Sequence, residues 1–234
     1  MDIILIPGFW LDASAWDEIV PALEDAGHRT RAITLPGMES KDSDRSGITL
    51  RDHVAAVVES IDSVDGDVVL VGHSAGGAIA HAAVDARPDK VTRAVYVDCV
   101  PAGYGDVIND SLPAEGNEIP LPDWSVFDEE SLVGLDDSLR AMFRDRAIPV
   151  PEGVARDHQE LSDERRYGVP VTVIACEFPS TKYREWMDPE HPWSGYVAEL
   201  SKIEDVEYVD LPTGHWPMFT RPHDLAQAIL EAVG

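Results

Sequence analysis

Gly72-His73-Ser74-Ala75-Gly76 sets a serine hydroxyl between two glycines, one two residues before it and one two residues after. The apolar run Val68-Val69-Leu70-Val71 leads directly into this pentapeptide, and an alanine-rich stretch of helical character follows until Arg87-Pro88. A serine at a sharp strand-to-helix turn takes a strained backbone, and small flanking residues avoid the clashes that such a turn creates. Its hydroxyl then stands out above the edge of a sheet at the start of a helix, as an acyl-transfer nucleophile must. The pentapeptide alone is weak evidence, because glycine and serine are common. Its strand–turn–helix setting is strong evidence.

The elements that would carry such a turn alternate along the chain. Short apolar runs at Ile3–Ile6, Ala32–Leu35, Val68–Val71, Ala94–Val97, Val171–Ala175 and Val206–Leu211 read as strands. Segments of helical period lie between them. One holds Trp16, Ile19, Val20 and Leu23 and stops at Gly27; a second, with Thr49 as its N-cap, holds Val54, Val57, Val58 and Ile61. A closing helix sets Leu225, Ala226, Ile229, Leu230 and Val233 on one face. This order predicts an α/β fold, a mostly parallel sheet flanked by helices. From 103 to 167 the alternation lapses into a proline-rich stretch with one amphipathic pattern, Leu132, Leu135, Leu139, Met142 and Phe143. The expectation is a core of residues 1–102 and 168–234, with 103–167 inserted as a small helical cap.

Charge narrows the function classes. The 234 residues hold 44 Asp plus Glu against 18 Lys plus Arg, a formal charge of −26. Such a field repels phosphate backbones and anionic lipid surfaces, so neither nucleic acid nor membrane is an expected partner. The acids are densest over 103–167, with 16 acidic against 6 basic residues. No apolar run reaches the length of a membrane span. Cys99 and Cys176 form no metal-ligand or redox spacing and read as reduced, partly buried thiols of a cytoplasmic protein.

With these features the chain resembles the α/β-hydrolase superfamily over essentially its whole length, and in particular its small esterase-like serine hydrolases. Three further segments carry the resemblance. Pro7-Gly8-Phe9-Trp10 follows the first strand, where that family keeps a His-Gly oxyanion loop; here Pro7 replaces the histidine and Gly8 is retained. The resemblance implies that the backbone N–H groups of Phe9 and Ala75 form the oxyanion hole. Thr213-Gly214-His215, between the last strand and the last helix, matches the family's catalytic histidine, so His215 is the expected base. His73 belongs to the elbow in a supporting role. His28, His53, His81, His158, His191 and His223 fall in helical or loop contexts and are expected to be solvated.

The third triad member is open between two residues. Many members place the acid after the next-to-last strand, where this chain reads Cys176-Glu177-Phe178-Pro179, and Glu177 is the nearest carboxylate. Asp98, ending the strand before, is the preferred acid, because a carboxylate at the C-terminal end of a central strand can face the same crevice as Ser74 and His215. The resemblance then implies attack by Ser74 on a small, largely uncharged ester, thioester or lactone, with no metal and no cofactor. Trp10, Trp216, Trp124, Phe127, Met142 and Phe143 are candidate substrate contacts. The partner is a small molecule, and the chain is expected as a monomer or homodimer. Two alternatives share these residues: a lyase of the hydroxynitrile-lyase type using the same triad, and a non-catalytic small-molecule receptor on a hydrolase shell.

Overall fold

A computed structural model describes residues Met1–Gly234. Six strands form one fully parallel sheet: β1 (Asp2–Ile6), β2 (Arg29–Ala32), β3 (Val68–His73), β4 (Val91–Val97), β7 (Val171–Ala175) and β8 (Val206–Asp210), in the order β2-β1-β3-β4-β7-β8. All six residues of β3 and all five of β7 are buried, as a parallel strand covered on both faces requires. The helices are α1 (Val20–Asp25), α2 (Leu50–Asp62), α3 (Ala75–Ala86), α4 (Asp137–Arg146), α5 (Glu152–Arg156), α6 (Ser180–Trp186), α7 (Pro217–Thr220) and α8 (Pro222–Val233). Thr49 and Asp52 close a reciprocal capping box that starts α2.

Strand order reverses at β1. The chain goes to one side of it for β2 and to the other for β3, which opens a crevice beyond the C-terminal ends of the strands. The loops after β1, β3, β4, β7 and β8 all emerge at that edge. Between β4 and β7 the chain leaves the sheet. There it forms the two-residue strands β5 (Glu118–Ile119) and β6 (Val150–Pro151), which pair antiparallel, together with α4, α5 and short 3₁₀ turns at Trp124–Val126 and Glu164–Gly168.

Three details differ from the expectation. The second strand is Arg29–Ala32 rather than Ala32–Leu35. It is an edge strand with an exposed and partly buried alternation, and its Arg29 pairs with Asp2, so its pairing residues are polar and the apolar run lies just beyond them. The amphipathic pattern from Leu132 becomes helical only at Asp137: Gly134 adopts φ +79° and Asp136 caps the helix by accepting from the Leu139 N–H. His53 and His81 are not solvated. His53 bonds to the Pro36 carbonyl, and His81 lies buried between Tyr96 and Glu199.

Candidate active site

The backbone of the elbow is under strain. Ser74 sits at φ 52°, ψ −123°, and the other two non-glycine residues with positive φ, Trp10 and Asp98, also line the crevice. Close packing explains the glycines. A Cβ on Gly72 would strike the Gly76 carbonyl, one on Gly76 would lie 2.5 Å from the Ile6 oxygen, and one on Gly8 would lie 2.7 Å from His73 Nδ1. The elbow and the β1 loop are therefore in direct contact, and only hydrogen fits between them.

Ser74 Oγ lies 2.8 Å from His215 Nε2, and His215 Nδ1 lies 2.7 Å from Asp98 Oδ2. An ionised carboxylate only accepts, so Nδ1 carries the proton and Nε2 is left as the acceptor for the serine hydroxyl. The other Asp98 oxygen accepts from the Cys176 and Glu177 N–H groups at 3.1 and 2.9 Å. With its side chain 1% exposed, Asp98 is held by three donors. Glu177, the alternative acid, is also present, but its Oε2 is 3.7 Å from His215 Nδ1, beyond hydrogen-bond length. Ligand atoms of Asp98, Glu177 and His215 fall within 4.8 Å of one another, yet Asp98 already spends both oxygens on these donors.

These environments set the proton affinities. Burial lowers that of His215, but the Asp98 hydrogen bond, the Asp98 charge and the Glu177 charge outweigh it, and its pKa is raised above 6.5. Burial raises Asp98, and its contacts with His215 and the Glu177 N–H more than offset this, leaving a lowered value. Burial pushes Glu177 up, as does the Asp98 charge against the opposing pull of His215. Two carboxylates thus share one imidazole unequally. His73, driven down to about 3 mainly by burial, stays neutral and donates from Nε2 to the His215 carbonyl at 2.7 Å.

The loop carrying His215 rests on a neighbouring segment. Gly214 N donates to the Val133 carbonyl at 3.2 Å and His215 N to Ser131 at 2.9 Å, and a Cβ on Gly214 would collide with the Ser131 oxygen. This support was not foreseen from sequence, because nothing in a polar stretch at 131–134 announces a backbone contact some 80 positions on.

The Phe9 and Ala75 N–H groups have no hydrogen-bond acceptor within the chain, the condition an oxyanion hole requires. Around them is a cavity of about 590 Å³. Of the six aromatic and methionine candidates, Trp10, Phe127 and Trp216 line it. Trp124 and Phe143 stand behind, their rings 6.0 and 5.3 Å from that of Trp216, and Met142 on α4 does not reach the cavity. Val100, Ile108, Leu112 and Tyr196 also line it, and sequence reasoning missed them because they sit on loops without periodic signal.

A fully parallel sheet with a strained serine elbow, and a histidine and carboxylate delivered by later strand ends, defines a class. The chain belongs to the alpha/beta hydrolase family, whose model matches residues 3–228, and it is a carboxylesterase-like enzyme. Methylesterase 8 of Arabidopsis thaliana is 35% identical over 252 residues, spanning 97% of this chain and 87% of that protein. Pyrethroid hydrolase of Sphingobium wenxiniae is 27% identical over 245 residues, spanning 98% and 86%. Among solved structures, an extracellular alpha/beta-hydrolase from a Paenibacillus species superposes with a TM-score of 0.76 at 23% identity, covering 99% of this chain and 98% of that one. No helix is long and apolar enough to cross a membrane.

Proposed function

We propose that the chain is a cofactor-free serine hydrolase that cleaves small carboxylic esters lacking negative charge. Ser74 attacks the ester carbonyl while His215 Nε2 takes the hydroxyl proton, and Asp98 holds the imidazole tautomer and balances its positive form. The Phe9 and Ala75 N–H groups receive the oxyanion. His215 then returns the proton to the departing alcohol, and a water activated by the same imidazole releases the acid. Residues 103–167 act as a cap over a core of 1–102 and 168–234, and the cap lends Ile108, Leu112 and Phe127 to the wall.

The observation that carries this reading is the unbroken Ser74–His215–Asp98 hydrogen-bond chain beside two N–H groups with no acceptor. The relatives named methylesterase and pyrethroid hydrolase support an ester as the bond cleaved. The charged groups lining the cavity are Asp98, Asp106 and Glu177, with no lysine or arginine among them. The two buried free thiols suit a reducing compartment, so cytoplasmic residence is part of the proposal.

Initial rates on short-chain p-nitrophenyl esters test it. Saturable turnover abolished by Ser74→Ala supports the reading and excludes a pure receptor. Equal inertness of both proteins across esters, thioesters and lactones would overturn it.

A further inference from the structure

Two hydrogen-bond donors on the cavity wall take no part in the reaction just described. Asn109 lies on the loop after β4, and its Oδ1 accepts from Ser111 N at 3.0 Å, Ser111 Oγ at 2.9 Å and Leu112 N at 3.2 Å. Those three bonds fix the amide's orientation, and its Nδ2 donates to nothing in the chain. Tyr196 lies on the loop after α6. Its ring packs edge-on against Trp186 and Trp193 at 5.8 and 6.4 Å, and its hydroxyl has no hydrogen-bond partner in the chain. The residue is 44% exposed, yet it lines the cavity. Its phenol is pushed up first by burial and then by nearby Cys99, Asp98 and Glu177.

Both side chains are held by their surroundings, both line the cavity, and each carries a donor that no group of the chain accepts. Built-in donors left without protein partners in such a place are the means by which a site selects a ligand acceptor, since an analogue lacking that acceptor strips their water and returns nothing. We propose that Tyr196 and Asn109 form a specificity subsite for a second oxygen acceptor on the ester, a ketone, ether or ester oxygen a few atoms from the reacting carbonyl. This rests on the hydrolase reading above and names the substrate class within it: bifunctional oxygenated esters rather than plain alkyl esters.

The test compares kcat/KM for p-nitrophenyl 4-oxopentanoate and 5-oxohexanoate with that for the pentanoate and hexanoate. Tyr196→Phe keeps the packed ring and loses only the O–H; Asn109→Asp keeps the oxygen that holds its turn and loses the N–H donors. Wild type should favour at least one oxo ester over its alkyl partner by tenfold or more, and each variant should lower that ratio by about threefold to tenfold. A ratio near one in wild type, or one unchanged in either variant, overturns the subsite while leaving the hydrolase standing. Absence of turnover on all four esters would overturn the hydrolase reading itself, and the subsite with it.

Discussion

Asp98 Oδ2 lies 2.7 Å from His215 Nδ1, across 117 residues of chain. The contact joins the end of β4 to the loop after β8, although β7 separates the two strands in the sheet. The intervening strand contributes as well, since the Cys176 and Glu177 N–H groups just beyond β7 hold the other Asp98 oxygen. The Asp98 carboxylate is therefore aimed by its neighbour strand.

That arrangement separates the two carboxylates by experiment. Asp98→Asn should lower kcat on a p-nitrophenyl ester by about 10³- to 10⁴-fold through loss of the correct tautomer and of charge balance. Glu177→Gln should cost less than tenfold, because its oxygen is 3.7 Å from the ring nitrogen. Equal losses in the two variants would assign the acid elsewhere.

The pH dependence follows from His215. In the proposed mechanism its neutral form is the base, and its pKa is raised, so activity is present above the folded-state value and lost as pH falls through it. The acidic limb of kcat/KM should have its midpoint above 6.5. Glu177→Gln removes one of the charges raising that value and should move the limb toward lower pH. A midpoint below 6.5, or a limb moved upward by Glu177→Gln, contradicts the electrostatics described.

Gly8→Ala tests the oxyanion loop while keeping all three triad side chains. The added methyl would stand 2.7 Å from His73 Nδ1 and 3.0 Å from the Ser74 Cβ, so the loop must shift and take the Phe9 N–H with it. Displacing one donor should reduce kcat by about 10²- to 10³-fold, with KM changing far less. Full activity in a folded Gly8→Ala protein would remove Phe9 from the oxyanion hole.

The net charge of −26 acts on approach rather than on chemistry. At low ionic strength a neutral ester should show higher kcat/KM than an anionic ester of the same size, and about 0.5 M salt should narrow the gap by screening. The comparison is read from initial rates at two salt concentrations. A preference for the anionic ester at low salt would contradict it.

Much of this site is legible in the residues themselves, for a steric reason. Gly72, Gly76 and the buried run Val68–Val71 are demanded by the elbow whatever the rest of the chain does. The acid is less legible because Asp98 and Glu177 end adjacent strands and both come near His215; only the distances divide them. Burial of His53 and His81 is hidden because their partners, the Pro36 carbonyl and Glu199, are distant in sequence. The aromatic wall divides on the same principle. Phe143, the last residue of the amphipathic pattern, is fully buried behind Trp216, while Phe127, outside that pattern, faces the cavity.

Intact-protein mass after brief exposure to a fluorophosphonate tests the central claim most directly, since such reagents phosphonylate only a serine activated by its base and oxyanion donors. The account predicts one stoichiometric adduct, mapped to Ser74 by peptide sequencing and absent from Ser74→Ala and His215→Ala. An unmodified wild-type protein, or an adduct that persists in Ser74→Ala, would contradict it.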